Sequence, residues 1–294
     1  MSVTEPIGFA DMRTLLVHGG VSGVARPERP ELTHAHAAAA TARLAPDVVE
    51  LAVRALEDDE RLNAGYGSVL NRSGYLELDA GIADGRRGKS GAVANVVVRH
   101  PISLARRVLE HTPHVLMTGG GAAELGADME LLTDTSPAQR ERWLEARSQG
   151  QLRTEHFGGP EHVDTVGAVA LDEEGNLAAA SSTGGVFGKL PGRVGDAPVF
   201  GAGFYASAAA AVVGTGVGEL FIEMLAAFRT GELIERGVDP QSACERVVEA
   251  IGRRGESAAG LLAIDGSGSR GAAFRGGSWT VEGPDGPVDA ARLS

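Results

Sequence analysis

Two short apolar segments in the middle of the chain place the strongest constraint on its fold. Residues 166–171 read Val-Gly-Ala-Val-Ala-Leu, a small and β-branched run that is typical of a buried strand. A second such run follows residues 172–176, whose sequence Asp-Glu-Glu-Gly-Asn is typical of a turn. The pattern predicts a buried β-hairpin that begins directly after Thr165 and ends at the Ser-Thr-Gly sequence of residues 182–184.

Thr165 is a candidate for chemistry as well as an ordinary strand residue. A threonine hydroxyl is a poor nucleophile at neutral pH unless a base lies beside it. One such base is the residue's own α-amino group, which titrates at about pH 8 when it is free. A catalytic Thr165 therefore requires the chain to be cut between Asp164 and Thr165.

The sequence after the hairpin is rich in hydroxyl groups, glycine and arginine. Arg193 and Asp196 stand three positions apart, a spacing that is also common in weak surface salt bridges. Residues 214–218 lead into a predicted helix, at whose start free backbone amides favour developing negative charge. A nucleotide-binding glycine loop is the rival interpretation, although the G-x-G-x-x-G pattern is not met because residue 219 is glutamate.

Seven short motifs stand along the chain in this order: Val-His-Gly-Gly at 17–20, Leu-Asn-Ala-Gly-Tyr-Gly-Ser at 62–68, Glu-Leu-Asp-Ala at 77–80, Thr-Val-Gly-Ala-Val at 165–169, Ser-Thr-Gly-Gly at 182–185, Pro-Gly-Arg-Val-Gly-Asp at 191–196 and Thr-Gly-Val-Gly-Glu at 215–219. Taken together they closely resemble the plant-type (type III) L-asparaginase and isoaspartyl peptidase family of N-terminal nucleophile hydrolases. The resemblance extends from about residue 15 to about residue 264. No single motif would be sufficient for it.

The resemblance implies a catalytic set. Thr165 would attack the side-chain amide carbon of the substrate, with its own amine as the base, and water would later hydrolyse the acyl-enzyme. Thr183 would hydrogen-bond near the nucleophile and tune it, while Thr215 and Gly216 would form the oxyanion hole. Asn63 would support the site during cleavage and catalysis, although an Asn before Ala-Gly is by itself a turn residue.

The same resemblance assigns substrate recognition to Arg193, Asp196, Gly216 and Gly218. A guanidinium fork can hold an α-carboxylate through two parallel charge-assisted hydrogen bonds. Asp196 would receive the α-ammonium group of the substrate, and the two glycines would also contact it. Arg193 and Asp196 together would therefore recognise an amino-acid zwitterion.

The resemblance implies no organic cofactor but a structural sodium ion. In the family, the loop before the Asn-Ala-Gly motif wraps the ion with main-chain carbonyl groups. Here that loop is residues 56–66, and Glu57, Leu62 and Ala64 fit the pattern best. A hard cation held by backbone oxygens leaves almost no side-chain signature. The acidic run at 58–60 alone would indicate a solvated helix end.

The composition favours some partners over others. The formal net charge of −12 argues against nucleic acid or an anionic membrane as a partner, because both attract basic surfaces. Cys244 is the single cysteine, so the chain cannot form an internal disulfide, and no apolar run is long enough to span a membrane. These features favour a cytoplasmic protein, while the family resemblance implies small-molecule substrates.

The element order suggests the architecture. Strands, then helices, then strands indicate sheets packed face to face with helices outside. The family resemblance makes this an α/β fold with four αββα layers. A helix is predicted over residues 217–229, and residues 128–164 lose the hydrophobic pattern and are expected to form an irregular, mobile tail before the cut.

We therefore expect one domain, residues 1–294, cleaved into residues 1–164 and 165–294, with two such pairs forming a dimer as in the family. The leading hypothesis is hydrolysis of L-asparagine and of β-aspartyl dipeptides. Asp164 stands where asparaginases usually have glycine and where glycosylasparaginases and threonine aspartases have aspartate. A hydrolase of N-glycan-linked asparagine therefore stays open as an alternative, as does a non-catalytic nucleotide-binding module.

Overall fold

The computed structural model describes residues 14–22, 29–152, 165–255 and 258–293. Within these ranges the chain forms thirteen strands: β1 (Thr14–Ser22), β2 (Leu78–Asp84), β3 (Lys89–Val96), β4 (Leu116–Thr118), β5 (Val166–Leu171), β6 (Leu177–Thr183), β7 (Phe204–Ala206), β8 (Ala210–Gly216), β9 (Ala259–Asp265), β10 (Arg270–Arg275), β11 (Ser278–Gly283), β12 (Gly286–Val288) and β13 (Ala291–Leu293).

Eight α-helices accompany these strands in the described ranges: α1 (Pro30–Ala39), α2 (Ala45–Glu57), α3 (Pro101–His111), α4 (Gly119–Leu125), α5 (Pro137–Ser148), α6 (Gly218–Met224), α7 (Ala226–Glu235) and α8 (Pro240–Gly252). Five of them, α1, α2, α3, α5 and α8, have proline in the first two positions, where its missing N–H group leaves no helical hydrogen bond unmade. No helix in the described residues is both long and apolar enough to cross a membrane.

The strands form two sheets. The larger has the order β12-β11-β1-β5-β6-β2-β3-β4, and the smaller has the order β13-β10-β9-β8-β7. The predicted hairpin is the antiparallel pair β5 and β6 at the centre of the larger sheet, and every residue of both strands is buried. Because both faces of the hairpin are covered, its sequence is continuously apolar or small rather than alternating.

Three apolar cores separate four layers. Ala168 of β5 belongs to the core between the larger sheet and helices α1, α2 and α3, while the next residue, Val169, belongs to the core between the two sheets. Val213 of β8 faces that same central core, and its neighbour Val212 packs with α7 and α8 in the third core. Successive side chains of a strand point to opposite faces, so these two strands each serve two cores. The four-layer αββα prediction is confirmed.

Both sides of the expected cut contribute to the larger sheet. Strands β1 to β4 precede Thr165, and strands β5, β6, β11 and β12 follow it. Strand β5 pairs with β1, and β6 pairs with β2, so the central hydrogen bonds of the sheet cross between the two parts of the chain.

The helix predicted over residues 217–229 is in fact two helices. Leu225 separates α6 from α7 and adopts a left-handed conformation with φ of 51°. The N–H group of Phe228 donates to the carbonyl oxygen of Gly201 at 2.8 Å, so a tertiary hydrogen bond fixes the first turn of α7. Neither glycine nor proline marks this break, which is why the sequence pattern does not predict it.

The expectation of an irregular tail is wrong for residues 137–148, which form α5. Only Trp143 of this helix is buried, so the hydrophobic periodicity that identifies most helices is absent. The indole N–H group of Trp143 donates to the carbonyl oxygen of Asn71 at 2.9 Å, and its ring lies 2.9 Å from the Cβ position that a side chain at Gly74 would require. Residues 153–164, with Asp164, lie outside the described residues.

We predict that Trp143 carries most of the energy that attaches α5 to the domain. Trp143→Ala removes a 4% exposed aromatic side chain and its hydrogen bond, and should destabilise the protein by about 3–5 kcal/mol. The midpoint of urea unfolding measures this loss. Leu144→Ala is the matched control, since the adjacent side chain is 53% exposed and should change stability by less than about 0.5 kcal/mol. Equal effects of the two variants would contradict the packing of α5.

Candidate active site

Thr165 and Thr183 meet at the open end of the central hairpin. Val166 of β5 pairs with Ser182 of β6, so the residues one step further toward the open end lie side by side. The Thr165 hydroxyl donates to Thr183 Oγ1 at 3.2 Å, and both residues are buried. Thr183 Oγ1 also accepts the N–H group of Gly185 at 3.0 Å. The hydroxyl of Thr183 is therefore fixed, and it orients the hydroxyl of Thr165.

Asn63 holds the turn that follows Thr183. Its side-chain amide donates to the carbonyl oxygen of Gly185 at 2.6 Å. The main-chain carbonyl oxygen of Asn63 accepts the N–H group of Gly184 at 2.9 Å. Its Oδ1 accepts the N–H group of Val69 at 3.0 Å. A side chain at Gly184 would crowd both Asn63 and Ser68, so only glycine fits there. The structure thus places Asn63 beside the pair of threonines.

Thr215 and Gly216 lie at the end of β8 in the smaller sheet. The Thr215 side chain is fully buried, and among the described residues its hydroxyl has no hydrogen-bond partner. Its Cγ2 lies 3.2 Å from the Cβ position that a side chain at Gly260 would require, and Trp279 lies 3.1 Å from the same position. No hydrogen bond between described groups joins Thr215 to Thr165 or Thr183, so the structure leaves its hydroxyl available.

Arg193, Asp196 and Gly218 converge on one point. A Cβ added at Gly218 would lie 2.8 Å from Asp196 Oδ1 and 2.9 Å from Arg193 Nη2. The absence of a side chain at Gly218 therefore leaves room between an arginine and an aspartate. This arrangement agrees with a binding site for a small molecule that carries both charges.

Arg193 and Asp196 do not form the surface salt bridge that their spacing also allowed. Arg193 instead donates from Nε and Nη2 to both oxygens of Glu219, at 3.0 and 2.9 Å. The partner, Glu219, stands in the Thr-Gly-Val-Gly-Glu motif, but no local sequence pattern indicates its contact with Arg193. Because Glu219 occupies one edge of the guanidinium, the Nη1 end remains for a second carboxylate.

Asp196 is a buried carboxyl with an unused oxygen. It is 4% exposed, and within the described ranges Oδ2 has no hydrogen-bond partner. Withdrawal from water raises the pKa of Asp196 to about 7, although the nearby Arg193 guanidinium acts in the opposite direction. A cation placed at Oδ2 would favour the ionised form.

Glu57 has a second role that the sequence pattern did not reveal. Its side chain is buried, and Oε1 accepts the Ser182 hydroxyl at 2.7 Å and the Ile102 N–H group at 3.1 Å, while His100 Nδ1 lies 3.3 Å from Oε2. Burial raises the pKa of Glu57, and the hydrogen bond from His100 opposes that shift. The carboxylate connects the end of α2 to the residue before Thr183.

Several main-chain oxygens line the loop after α2. A side chain at Gly65 would collide with the carbonyl oxygen of Glu57, and one at Gly67 would collide with that of Leu62. The carbonyl oxygen of Ala64 accepts the N–H group of Gly67 at 3.3 Å. No group of three His, Cys, Asp or Glu side chains in the described residues could hold a metal ion. A cation in this loop would therefore depend on backbone oxygens.

His18 lies at the backbone of the hairpin and is neutral. Burial, with a contribution from Arg29, lowers the pKa of His18 to about 3, and the backbone of Thr165 acts in the opposite direction. Nδ1 accepts the N–H group of Gly20 at 3.2 Å, so the imidazole is hydrogen-bonded to the backbone. An imidazole that stays uncharged at neutral pH can pack against β5. It lacks the extra proton of the imidazolium form and therefore cannot act as a general acid.

The chain resembles known amidohydrolases over most of its length. The asparaginase family model matches residues 14–281. The chain is 43% identical over 281 residues to an isoaspartyl peptidase of Salmonella typhimurium, covering 87% of this chain and 90% of that protein. It is 42% identical over 277 residues to a plant-type L-asparaginase of Pyrobaculum calidifontis, covering 87% and 92%. It is 39% identical over 273 residues to a human isoaspartyl peptidase/L-asparaginase, covering 86% and 87%. The chain therefore belongs to the asparaginase family of N-terminal nucleophile hydrolases, and it is an enzyme rather than a nucleotide-binding module.

Proposed function

We propose that this enzyme hydrolyses L-asparagine to L-aspartate and ammonia, and β-aspartyl dipeptides to aspartate and an amino acid. The observation that carries the proposal is the hydrogen bond between the Thr165 and Thr183 hydroxyls at the centre of the larger sheet. The names of the relatives, isoaspartyl peptidase and plant-type L-asparaginase, support the two substrates.

Thr165 acts as the nucleophile after the peptide bond before it is cut. The freed α-amine accepts the proton of the Thr165 hydroxyl, and Oγ1 attacks the side-chain carbonyl carbon of the substrate. The C–N bond breaks, the amine leaves with a proton, and an ester links the aspartyl group to Thr165. Water then hydrolyses this ester to aspartate. Thr215 and Gly216 hold the oxyanion. The buried Thr215 hydroxyl has no hydrogen-bond partner among the described residues, which supports that role because its proton can be donated.

Arg193 and Asp196 hold the α-carboxylate and the α-ammonium groups of the substrate. The Glu219 carboxylate keeps the guanidinium in place through its Nε edge, which leaves Nη1 for the substrate. The ammonium group supplies the partner that Asp196 Oδ2 lacks within the described part of the chain. Gly216 and Gly218 line the space between these groups and the reacting carbon.

The proposal also includes a structural ion. The loop at residues 56–66 holds a sodium ion through the carbonyl oxygens of Glu57, Leu62 and Ala64, and no organic cofactor takes part. Replacing sodium with tetramethylammonium should then lower the melting temperature.

The proposed assembly is a dimer in the cytoplasm, in which two pairs of the fragments 1–164 and 165–294 associate. Sedimentation would measure this assembly.

Thr165→Ala should abolish both cleavage and turnover, because the same hydroxyl attacks its own peptide bond and the substrate. Intact mass should show fragments 1–164 and 165–294 for the wild type and one full-length chain for the variant. Thr230→Ala is the matched control, since Thr230 is also a buried threonine but donates within α7 to the carbonyl oxygen of Ala226. Continued cleavage of the Thr165→Ala protein would refute the assigned nucleophile.

The KM for asparagine should fall as pH rises through the pKa of Asp196. With a pKa of about 7, the carboxyl is mostly neutral at about pH 6 and mostly ionised at about pH 8, and only the ionised form attracts the substrate ammonium. We expect KM to fall roughly tenfold over this interval. Succinamate, which lacks the α-ammonium group, serves as the control and should gain no affinity. A KM for asparagine that is constant with pH would contradict the role of Asp196.

The second candidate function is hydrolysis of N-glycan-linked asparagine. Asp164 supports it, because glycosylasparaginases have aspartate before the nucleophile. Supplying asparagine, a β-aspartyl dipeptide and a glycosylated asparagine side by side separates the two functions. We expect turnover of the first two only. Preferential release of glycan from the third would replace the leading proposal.

A further inference from the structure

A loop of the second half of the chain carries the two charged groups that are proposed to hold the substrate. We call residues 189–196 the recognition loop, because Arg193 and Asp196 stand in it. Glu77, in the first half of the chain directly before strand β2, holds this loop. Lys189 Nζ donates to the carbonyl oxygen of Glu77 at 2.8 Å, and the N–H group of Gly192 donates to Glu77 Oε1 at 2.9 Å.

Asp79 is the buried charge beneath the loop. Its Oδ2 lies 3.9 Å from Lys189 Nζ and accepts a long, 3.5 Å hydrogen bond from the N–H group of Gly195, and both ionic side chains have no exposed surface. Burial raises the pKa of Asp79 and lowers that of Lys189, while the attraction between the two groups opposes both shifts. In a buried ion pair each charge compensates the other. Removal of one side chain therefore leaves the other charge buried and unpaired, which is strongly destabilising.

Strand β3 is distorted where it meets Asp79. Asn95 has a φ of 54°, the left-handed conformation that most residues avoid, and the pairing of β2 with β3 shifts register between Leu78 and Ala80. This distortion aims the N–H group of Asn95 at Asp79 Oδ1, at 2.9 Å, and its side-chain amide at the carbonyl oxygen of Gly192, at 3.4 Å. Backbone strain of this kind persists where surrounding contacts enforce it.

The pair also lies next to the catalytic threonines. Asp79 is directly opposite Thr183 in the pairing of β2 with β6. A side chain at Gly185, whose N–H group donates to Thr183, would lie 2.9 Å from Lys189 Nζ. Asp79 thus connects the strand that carries Thr183 to the loop that carries Arg193 and Asp196.

We propose that Asp79 is a positioning residue for the substrate zwitterion: its buried carboxylate, paired with Lys189, fixes the recognition loop so that Arg193 and Asp196 face the substrate at the correct distance from Thr165. The inference rests on the proposed function, since it assigns these two residues to substrate. Asp79 makes no contact with the substrate and acts through Gly195 and Lys189.

Asp79→Asn tests the inference, because it keeps the size of the side chain and removes the charge. We expect KM for asparagine to rise at least tenfold, with kcat within threefold, because the hydrogen bond between Thr165 and Thr183 does not involve Asp79. Intact mass should show normal cleavage. The double variant Asp79→Asn/Lys189→Met also removes the Lys189 ammonium that Asp79→Asn leaves unpaired. Its KM should be lower than that of either single variant. An unchanged KM in Asp79→Asn, or effects that simply multiply in the double variant, would overturn the proposal.

Asp172→Asn is the matched control for loss of a buried carboxylate. Asp172 is 1% exposed and accepts three backbone N–H groups, those of Ala45, Glu174 and Asn176, at the far end of the same hairpin. Its replacement should lower the melting temperature and leave KM unchanged. A rise in KM equal to that of Asp79→Asn would reduce the effect of Asp79 to general stability and refute the positioning role.

Asn95→Gly provides a test that does not depend on the folding of Asp79→Asn. Glycine accepts the positive φ and removes only the contact to Gly192, so the variant should fold and raise KM about threefold; no change would count against the proposal. A wild type that hydrolyses none of the substrates would refute the proposed function instead. Calorimetric binding of L-aspartate would then still decide the inference, with at least tenfold weaker binding expected for Asp79→Asn.

Discussion

The pairing register of β5 and β6 is the constraint on which the site depends. Val166 pairs with Ser182, and this register brings the hydroxyls of Thr165 and Thr183 within 3.2 Å. A shift of one residue would turn one of the two hydroxyls to the opposite face of the sheet. The register is held because Ala168 and Val169 must enter different apolar cores. The packing of these two cores therefore determines the geometry of a polar contact at the end of the hairpin.

The buried carboxylates near this contact differ in how completely they are satisfied. Glu57 uses both oxygens, with Ser182, Ile102 and His100 around it, and such a group connects elements of the fold. Asp196 is as deeply buried but keeps one oxygen unpaired among the described residues. An unpaired buried carboxylate lowers stability unless something compensates it. The difference is explained if a bound cation, here the substrate ammonium, completes Asp196.

The sequence predicts what depends on neighbouring residues and misses what depends on distant ones. The hairpin and most strands and helices follow from local runs of apolar residues, and the family motifs lead to Thr165 and Arg193. The contact of Glu57 with Ser182 joins residues 125 positions apart, and that of Arg193 with Glu219 joins residues 26 apart, so no local pattern contains them. Helix α5 is not predicted for a different reason. A helix with one buried residue has no apolar stripe along one face, which is the pattern that identifies helices in a sequence.

The distribution of the site over the chain is compatible with the proposed cut before Thr165. Asn63 and Asp79 precede Thr165 in sequence, yet they hold the turn after Thr183 and the recognition loop. Strands β1 and β2 pair with β5 and β6 along their lengths, so hydrogen bonds and apolar cores, rather than the backbone link, keep the two parts together. A cut before Thr165 frees one amine while these contacts remain in place. The part of the chain before Thr165 therefore supports the proposed site, and a segment that left the protein after the proposed cut could not supply these contacts.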